Sequence, residues 1–249
     1  MKGKHIYFAS DFHLGAPNDR LSRERENRVI EWLNQIEPSA AEIYLIGDIF
    51  DFWFEYKTVV PKGYVRFLGK IAALTDKGIQ VHFFTGNHDM WMFDYLEKEI
   101  GVTIHRKPIL KKWGEKTFLI GHGDGLGPGD TLYKFLKTFF ESKVCQWLFA
   151  RLHPNFGIGL ASFLSKRSRA STGTKEDHYL GDNKEFLVQY IKDYLKSEKT
   201  KPDYFVFGHR HFPLEKTIEN AVYFNTGDWI KHDTYCQFDG INMKLLTYS

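Results

Sequence analysis

Five short polar clusters could carry chemistry in this 249-residue chain: Asp11-Phe12-His13, Gly47-Asp48-Ile49-Phe50-Asp51, Gly86-Asn87-His88-Asp89, Gly121-His122-Gly123-Asp124 and Gly208-His209-Arg210-His211. Asp, Asn and His offer oxygen and nitrogen ligands of hard to borderline character, and neither cysteine lies in a cluster. That set points to Mn²⁺, Fe²⁺, Zn²⁺ or Mg²⁺ rather than to thiolate-bound zinc or iron–sulfur. The seven candidate ligands Asp11, His13, Asp48, Asn87, His122, His209 and His211 are too many for one ion. They suit two ions about 3.5–4 Å apart that share one carboxylate and lower the pKa of a water between them toward about 7. Any one cluster alone is a weak signal, since Asp-x-His and Gly-Asn-His-Asp also occur in ordinary turns. Five in one chain, each at the end of an apolar run, are a strong one.

Those runs are the elements that must position the ligands. His5–Ser10, Glu42–Ile46, 79–85, Lys116–Ile120 and Tyr204–Phe207 read as strands, and helices are expected over Asp19–Ile36, Gly63–Lys77, 93–99 and Asp182–Lys196. Alternation of this kind indicates an α/β fold with a largely parallel sheet, whose ligands gather at the carboxyl ends of the strands. In Asp11-x-His13 and His209-x-His211 a period of two would put both side chains on one face. The glycines before Asp48, Asn87, His122 and His209 would let the backbone turn sharply. The final segments, Leu214–Ile218, Ala221–Asn225, Thr234–Phe238 and Met243–Thr247, read as antiparallel strands.

Composition narrows the class. A hydrophobic share of 43% and a charged share of 26% are ordinary for a globular chain. No run of about 18 charge-free apolar residues suggests a membrane span. The N-terminus has no signal core, and two cysteines make no disulfide framework, so a reducing cytoplasm is the expectation. A net charge of +3 is too small to imply nucleic acid. Residues 132–175 break the α/β rhythm with aromatic residues at mixed helical spacing, read as two or three short helices inserted into a single host domain over 1–249. From 131 to 176 eight bases face two acids, more excess than the whole chain carries. Basic and apolar helices beside such a site suggest a lid for an anionic, lipid-bearing substrate or contact with an anionic membrane. A helical subdomain that only packs on its host is the alternative reading.

The order Asp-x-His, Gly-Asp, Gly-Asn-His-Asp, Gly-His, Gly-His-x-His across residues 11–211 resembles the calcineurin-like metallophosphoesterase superfamily. The resemblance implies a sandwich of two mixed β-sheets flanked by helices, with the helical lid at 131–176. It implies that Asp11, His13, Asp48 and His211 hold one metal and Asp48, Asn87, His122 and His209 the other, with Asp48 shared. His88 would then stabilise the transition state or protonate the leaving oxygen. Asp89 would orient His88, and Asp51 and Asp124 would support metal-bound histidines.

A narrower resemblance lies in His122-Gly123-Asp124, Gly129-Asp130-x-x-Tyr133, the insert ending Ser165-Lys166-Arg167-Ser168-Arg169, and Asn225-Thr226-Gly227-Asp228-Trp229. These look like the UDP-2,3-diacylglucosamine diphosphatases of lipid A synthesis. That family implies hydrolysis of a nucleotide-lipid to UMP and 2,3-diacylglucosamine 1-phosphate, two Mn²⁺ ions, and peripheral attachment to the inner membrane. Asn87 and Asp130 would touch the substrate, and Lys166, Arg169 and Lys175 would meet its phosphates. His88 stands where several members of that family carry Arg. The same chemistry on another nucleotide-lipid, phosphodiester or phosphoprotein is the alternative.

Overall fold

The computed structural model describes residues 4–129, 131–172 and 178–249, and for 166–172 the backbone alone. In chain order the elements are β1 (His5–Ala9), α1 (Asp19–Ile36), β2 (Ala40–Ile46), α2 (Val65–Asp76), β3 (Gln80–Phe84), α3 (Tyr95–Ile100), β4 (Thr103–His105), β5 (Ile109–Trp113) and β6 (Lys116–Ile120). They continue with α4 (Thr131–Glu141), α5 (Lys143–Phe149), α6 (Pro154–Thr172), α7 (Phe186–Ser197), β7 (Tyr204–Phe207), β8 (Pro213–Ile218), β9 (Ala221–Thr226), β10 (Thr234–Phe238) and β11 (Met243–Thr247).

Two mixed sheets result. One has six strands in the order β11-β10-β1-β2-β3-β4, the other five in the order β5-β6-β7-β9-β8. β1 to β4 run parallel, and β10 and β11 add antiparallel strands beside β1. In the second sheet β6, β7 and β9 are parallel while β5 and β8 are antiparallel partners at the edges. Of the C-terminal strands expected to be antiparallel, β9 is therefore also a parallel neighbour of β7.

The pleat explains the layering. Along β1, Ile6 and Phe8 join Tyr44, Phe118, Val206 and Phe224 between the sheets, whereas Tyr7 and Ala9 face the core under α1 and α2. A third core packs α7 on the outer face of the second sheet. Strands covered on both faces read as continuous apolar runs, which is why they stand out in the sequence. Apolar residues of α1 at 29, 32, 33 and 36 form the buried face that sits on the first sheet.

The insert departs from this plan. No residue of α4 or α5 is buried, and Leu132, Phe135, Trp147, Phe156 and Phe163 each expose more than half their surface. Phe149 is its anchor: its ring lies 4.7 Å from both Phe54 and Trp91, and the Trp91 indole donates to the Phe140 carbonyl at 2.9 Å. The insert breaks between α5 and α6, and Pro154 takes the first helical position of α6, where its missing N–H costs nothing. No helix among the described residues is long and apolar enough to cross a membrane.

Candidate metal centre

The loop after β1 stays paired with the loop after β2 beyond the sheet. Asp11 N–H donates to Gly47 O at 3.1 Å and His13 N–H to Asp48 O at 2.9 Å. From α1, the buried Arg25 guanidinium donates to Phe12 O and His13 O at 2.8 Å each, and to Ala16 O at 3.1 Å. Asp11 and His13 have φ of 57° and 42°, and His209 and His211 have 68° and 55°. The period-two argument for these pairs is thus corrected: they leave the strand and turn through left-handed backbone. That conformation costs a non-glycine residue about 1–2 kcal/mol, and such strain collects at functional sites.

The glycines bear out the expectation only in part. Gly47 has φ of 87°, but Gly86 and Gly208 do not have positive φ. A Cβ on Gly86 would come within 2.6 Å of Asp48 N and strike its carboxylate, and one on Gly208 would come within 2.7 Å of Asp11 Oδ2. Glycine there makes room for the two carboxylates.

The structure brings all seven expected ligands together. Ligand atoms of Asp11, His13 and His211 lie within 4.8 Å of one another, as do those of Asp48, His122 and His209. Asp48 joins the groups: its Oδ2 is 3.8 Å from His13 Nε2 and 3.3 Å from His122 Nε2. Asn87 Oδ1 is 3.4 Å from His122 Nε2. His13 Nε2 and His211 Nε2 are 3.3 Å apart, two nitrogens converging on one point. The other faces of two rings are tied back: His122 Nδ1 meets Ile46 O at 2.8 Å and His211 Nδ1 meets Asp228 Oδ2 at 3.2 Å. Such partners fix the ring and aim the opposite nitrogen inward.

The electrostatics suit cations. Asp11, His13 and Asp48 are almost wholly buried. Burial opposes ionisation of Asp11, yet His211 and His13 beside it hold its carboxyl down at about 2. Asp48 is likewise held ionised against burial, chiefly by His122 and His88. The carboxylates in turn lift His13 and His122 to about 10 despite their burial. Ionised carboxylates this deep cost several kcal/mol each unless countercharge is at hand. Protons on imidazoles supply it here, and divalent cations would displace those protons and use the same nitrogens. Asp11 Oδ1 is buried with no hydrogen-bond partner, as expected where a donor set is shaped for something other than its neighbours.

Around this set, His88 Nδ1 lies 3.1 Å from Asp51 O and 3.0 Å from Ser165 Oγ of α6. Asp89 does not orient it, which corrects the expectation. Its Oδ1 accepts from Gly86 N–H at 2.8 Å and its Oδ2 from Ile49 and Phe50 N–H, so it staples the β2 and β3 loops together. Asp51 lies 3.7 Å from His13 Nδ1. Asp124 accepts from Tyr133 and from Lys137 of α4 at 2.6 Å each. Asp228, Arg25 and Ser165 are the residues that sequence reasoning passed over. The Asn225–Trp229 segment was a signal for Asp228, but its role arises only through space. Asp130 and Lys175 lie outside the described residues, as do the side chains of Lys166 and Arg169.

The calcineurin-like phosphoesterase family model matches residues 4–213. A UDP-2,3-diacylglucosamine hydrolase of Porphyromonas gingivalis is 36% identical over 253 residues, covering 96% of each chain. Proteins of the same name from Haemophilus influenzae and Pasteurella multocida are 25% identical over 92% of each chain, and 26% identical over 84% of this chain and 82% of theirs. With its ligand clusters at the carboxyl ends of two stacked sheets, the chain belongs to the calcineurin-like phosphoesterases, in the family of the UDP-2,3-diacylglucosamine hydrolases.

Proposed function

We propose that the protein hydrolyses the pyrophosphate of UDP-2,3-diacylglucosamine, giving UMP and 2,3-diacylglucosamine 1-phosphate for lipid A synthesis. The observation that carries the reading is the contact of Ser165, on an insert with many exposed Phe, Trp and Leu residues, with His88 beside the ligand set. A soluble phosphodiester needs no such apolar cover. The full-length relatives named for this substrate support it.

Asp11, His13, Asp48 and His211 would hold one divalent ion and Asp48, Asn87, His122 and His209 another, Mn²⁺ in our reading. Bound there, the ions supply Lewis acidity toward phosphoryl oxygens and an activated water. The chain's own groups do the rest. His88 is fixed through Nδ1, so its Nε2 is the nitrogen left for a phosphoryl oxygen. Residues 131–176 act as a lid in a single domain. The lid's exposed Phe, Trp and Leu side chains cover the acyl chains and exclude water from the phosphate. By the family resemblance, Asp130 would face the sugar of the substrate, and Lys166, Arg169 and Lys175 would meet its phosphates. The basic and apolar helices also suit a cytoplasmic protein that rests on the inner-membrane surface, where such substrates reside.

The test is product analysis. Purified protein incubated with UDP-2,3-diacylglucosamine and Mn²⁺ should release UMP, read by mass spectrometry. Turnover of an aryl phosphodiester with no UMP from the nucleotide-lipid would favour another substrate.

A further inference from the structure

Beside the ligand set lies a cavity of about 320 Å³. That volume falls within the range of small-ligand sites. Its walls come from the ends of β3 and β6, the segment between β4 and β5, and α4. His122, one of the seven expected ligands, lines it while its Nε2 stands 3.3 Å from Asp48 Oδ2, so the cavity adjoins the ligand set. Arg106, Lys107, Lys134 and Lys137 line it, against Asp124 and Glu141, and Asp124 is already engaged by Lys137 and Tyr133. The balance favours an anion.

α4 has two distinct faces. Residues 134, 137, 138 and 141 line the cavity. Leu132, Phe135, Leu136, Phe139 and Phe140 are exposed apolar residues with none of their side chains in the cavity wall. Both stripes follow the i, i+3, i+4, i+7 spacing of a helix. The helix therefore turns a polar, basic face to the cavity and an exposed apolar face away from it.

Resting on the substrate reading above, we propose that this cavity is the subsite for the nucleoside monophosphate half of the substrate, with α4 as the partition between nucleotide and acyl chains. A diphosphate cleaved at the ligand set must send its two halves to different sides. The half with acyl chains matches the exposed apolar stripe. The half with ribose hydroxyls, an amide-rich base and a phosphate matches walls that carry Lys and Arg donors. Lys107 is exposed and makes no hydrogen bond among the described residues, so its ammonium is available to a ligand.

The test uses the Mn²⁺-loaded protein and UMP, with binding read by calorimetry, which needs no turnover. Lys107→Glu and Lys134→Glu should weaken UMP binding about tenfold. They should raise KM for the nucleotide-lipid by a similar factor with kcat within about twofold, the pattern of lost uniform binding. Inhibition by 2,3-diacylglucosamine 1-phosphate should not change. UMP binding that both variants weaken, in a protein that fails to hydrolyse the nucleotide-lipid, would sink the substrate reading and keep the subsite. Hydrolysis of the nucleotide-lipid with no UMP binding, or with UMP binding indifferent to both charge reversals, overturns the subsite. Unchanged circular dichroism and melting temperature would establish that either result concerns binding rather than folding.

Discussion

Ser165 Oγ, on the inserted helix α6, lies 3.0 Å from Nδ1 of His88, on the loop after β3. The contact joins residues 77 positions apart and links the insert to the reaction centre. It also helps fix the ring through Nδ1, which in the proposed reaction leaves Nε2 for the substrate. Ser165→Ala should lower kcat about tenfold with little change in KM, because the lost contact orients a reacting group rather than binding substrate. Ser165→Thr keeps the hydroxyl and should restore most of the rate. Steady-state kinetics of the two variants decide it, and an alanine variant with wild-type kcat would leave Ser165 as lid packing alone.

Asp228 supports the ligand set from behind. Its Oδ2 meets His211 Nδ1 at 3.2 Å, and its Oδ1 accepts from the N–H groups of Ile230, Lys231 and His232. Asp228→Asn preserves shape and an acceptor oxygen but removes the charge that orients His211. Loss of such a partner costs about 10–100-fold in metal affinity or activity. A Mn²⁺ titration should show one weakened ion and one nearly unaffected. Two ions bound as tightly as in the parent protein would remove Asp228 from the set.

How much of this was legible depended on where the information sat. The ligands were readable because their types are chemically narrow and each follows a run buried on both faces. The edge strands β4 and β5 were not: β5 reads Ile-Leu-Lys-Lys-Trp, and the three-residue β4 is too short for any period. Adjacency misled at Asp89, which lies next to His88 in the chain but turns to the backbone of the β2 loop. Arg25 sits on an amphipathic helix as one charge among many, and only the folded chain shows its guanidinium under the Asp11–His13 loop. Roles of that kind arise from long-range contacts, to which local spacing is blind.

A pH dependence follows from a cluster away from the ligands. His105 Nε2 pairs with His82 Nδ1 at 3.1 Å, and burial, with His82 and Lys111 adding to it, lowers His105 to about 4. Glu42 accepts from Trp113 Nε1 at 2.8 Å and Tyr44 OH at 2.6 Å; these bonds and His82 outweigh its burial and hold it at about 2. Both folded values lie below the unfolded ones of 6.5 and 4.5. The native state therefore binds fewer protons, and stability falls as the pH falls. The His105 contribution is complete above pH 6.5 and fades between there and about 4; that of Glu42 fades between 4.5 and about 2. Chemical denaturation at pH 7, 5.5 and 4.5 should show declining stability, with a shallower decline in His105→Gln. Parallel profiles for the two proteins would refute the assignment.

Asp48 is the residue on which the two ligand groups depend together. Its Oδ2 lies 3.8 Å from a nitrogen of the first group and 3.3 Å from one of the second, while its Oδ1 accepts from His88 N–H at 2.9 Å. Asp48→Ala would thus remove a proposed ligand shared by both ions and loosen the loop that carries His88. Activity should fall by orders of magnitude, and the purified variant should retain fewer than two ions by elemental analysis. Gly86→Ala attacks the same carboxylate from outside, since the added methyl would occupy its place. It should lose metal in the manner of Asp48→Ala although no ligand has been replaced. If Asp48→Ala turned over near the parent rate, or Gly86→Ala bound two ions at full strength, the shared-carboxylate arrangement would have to be abandoned.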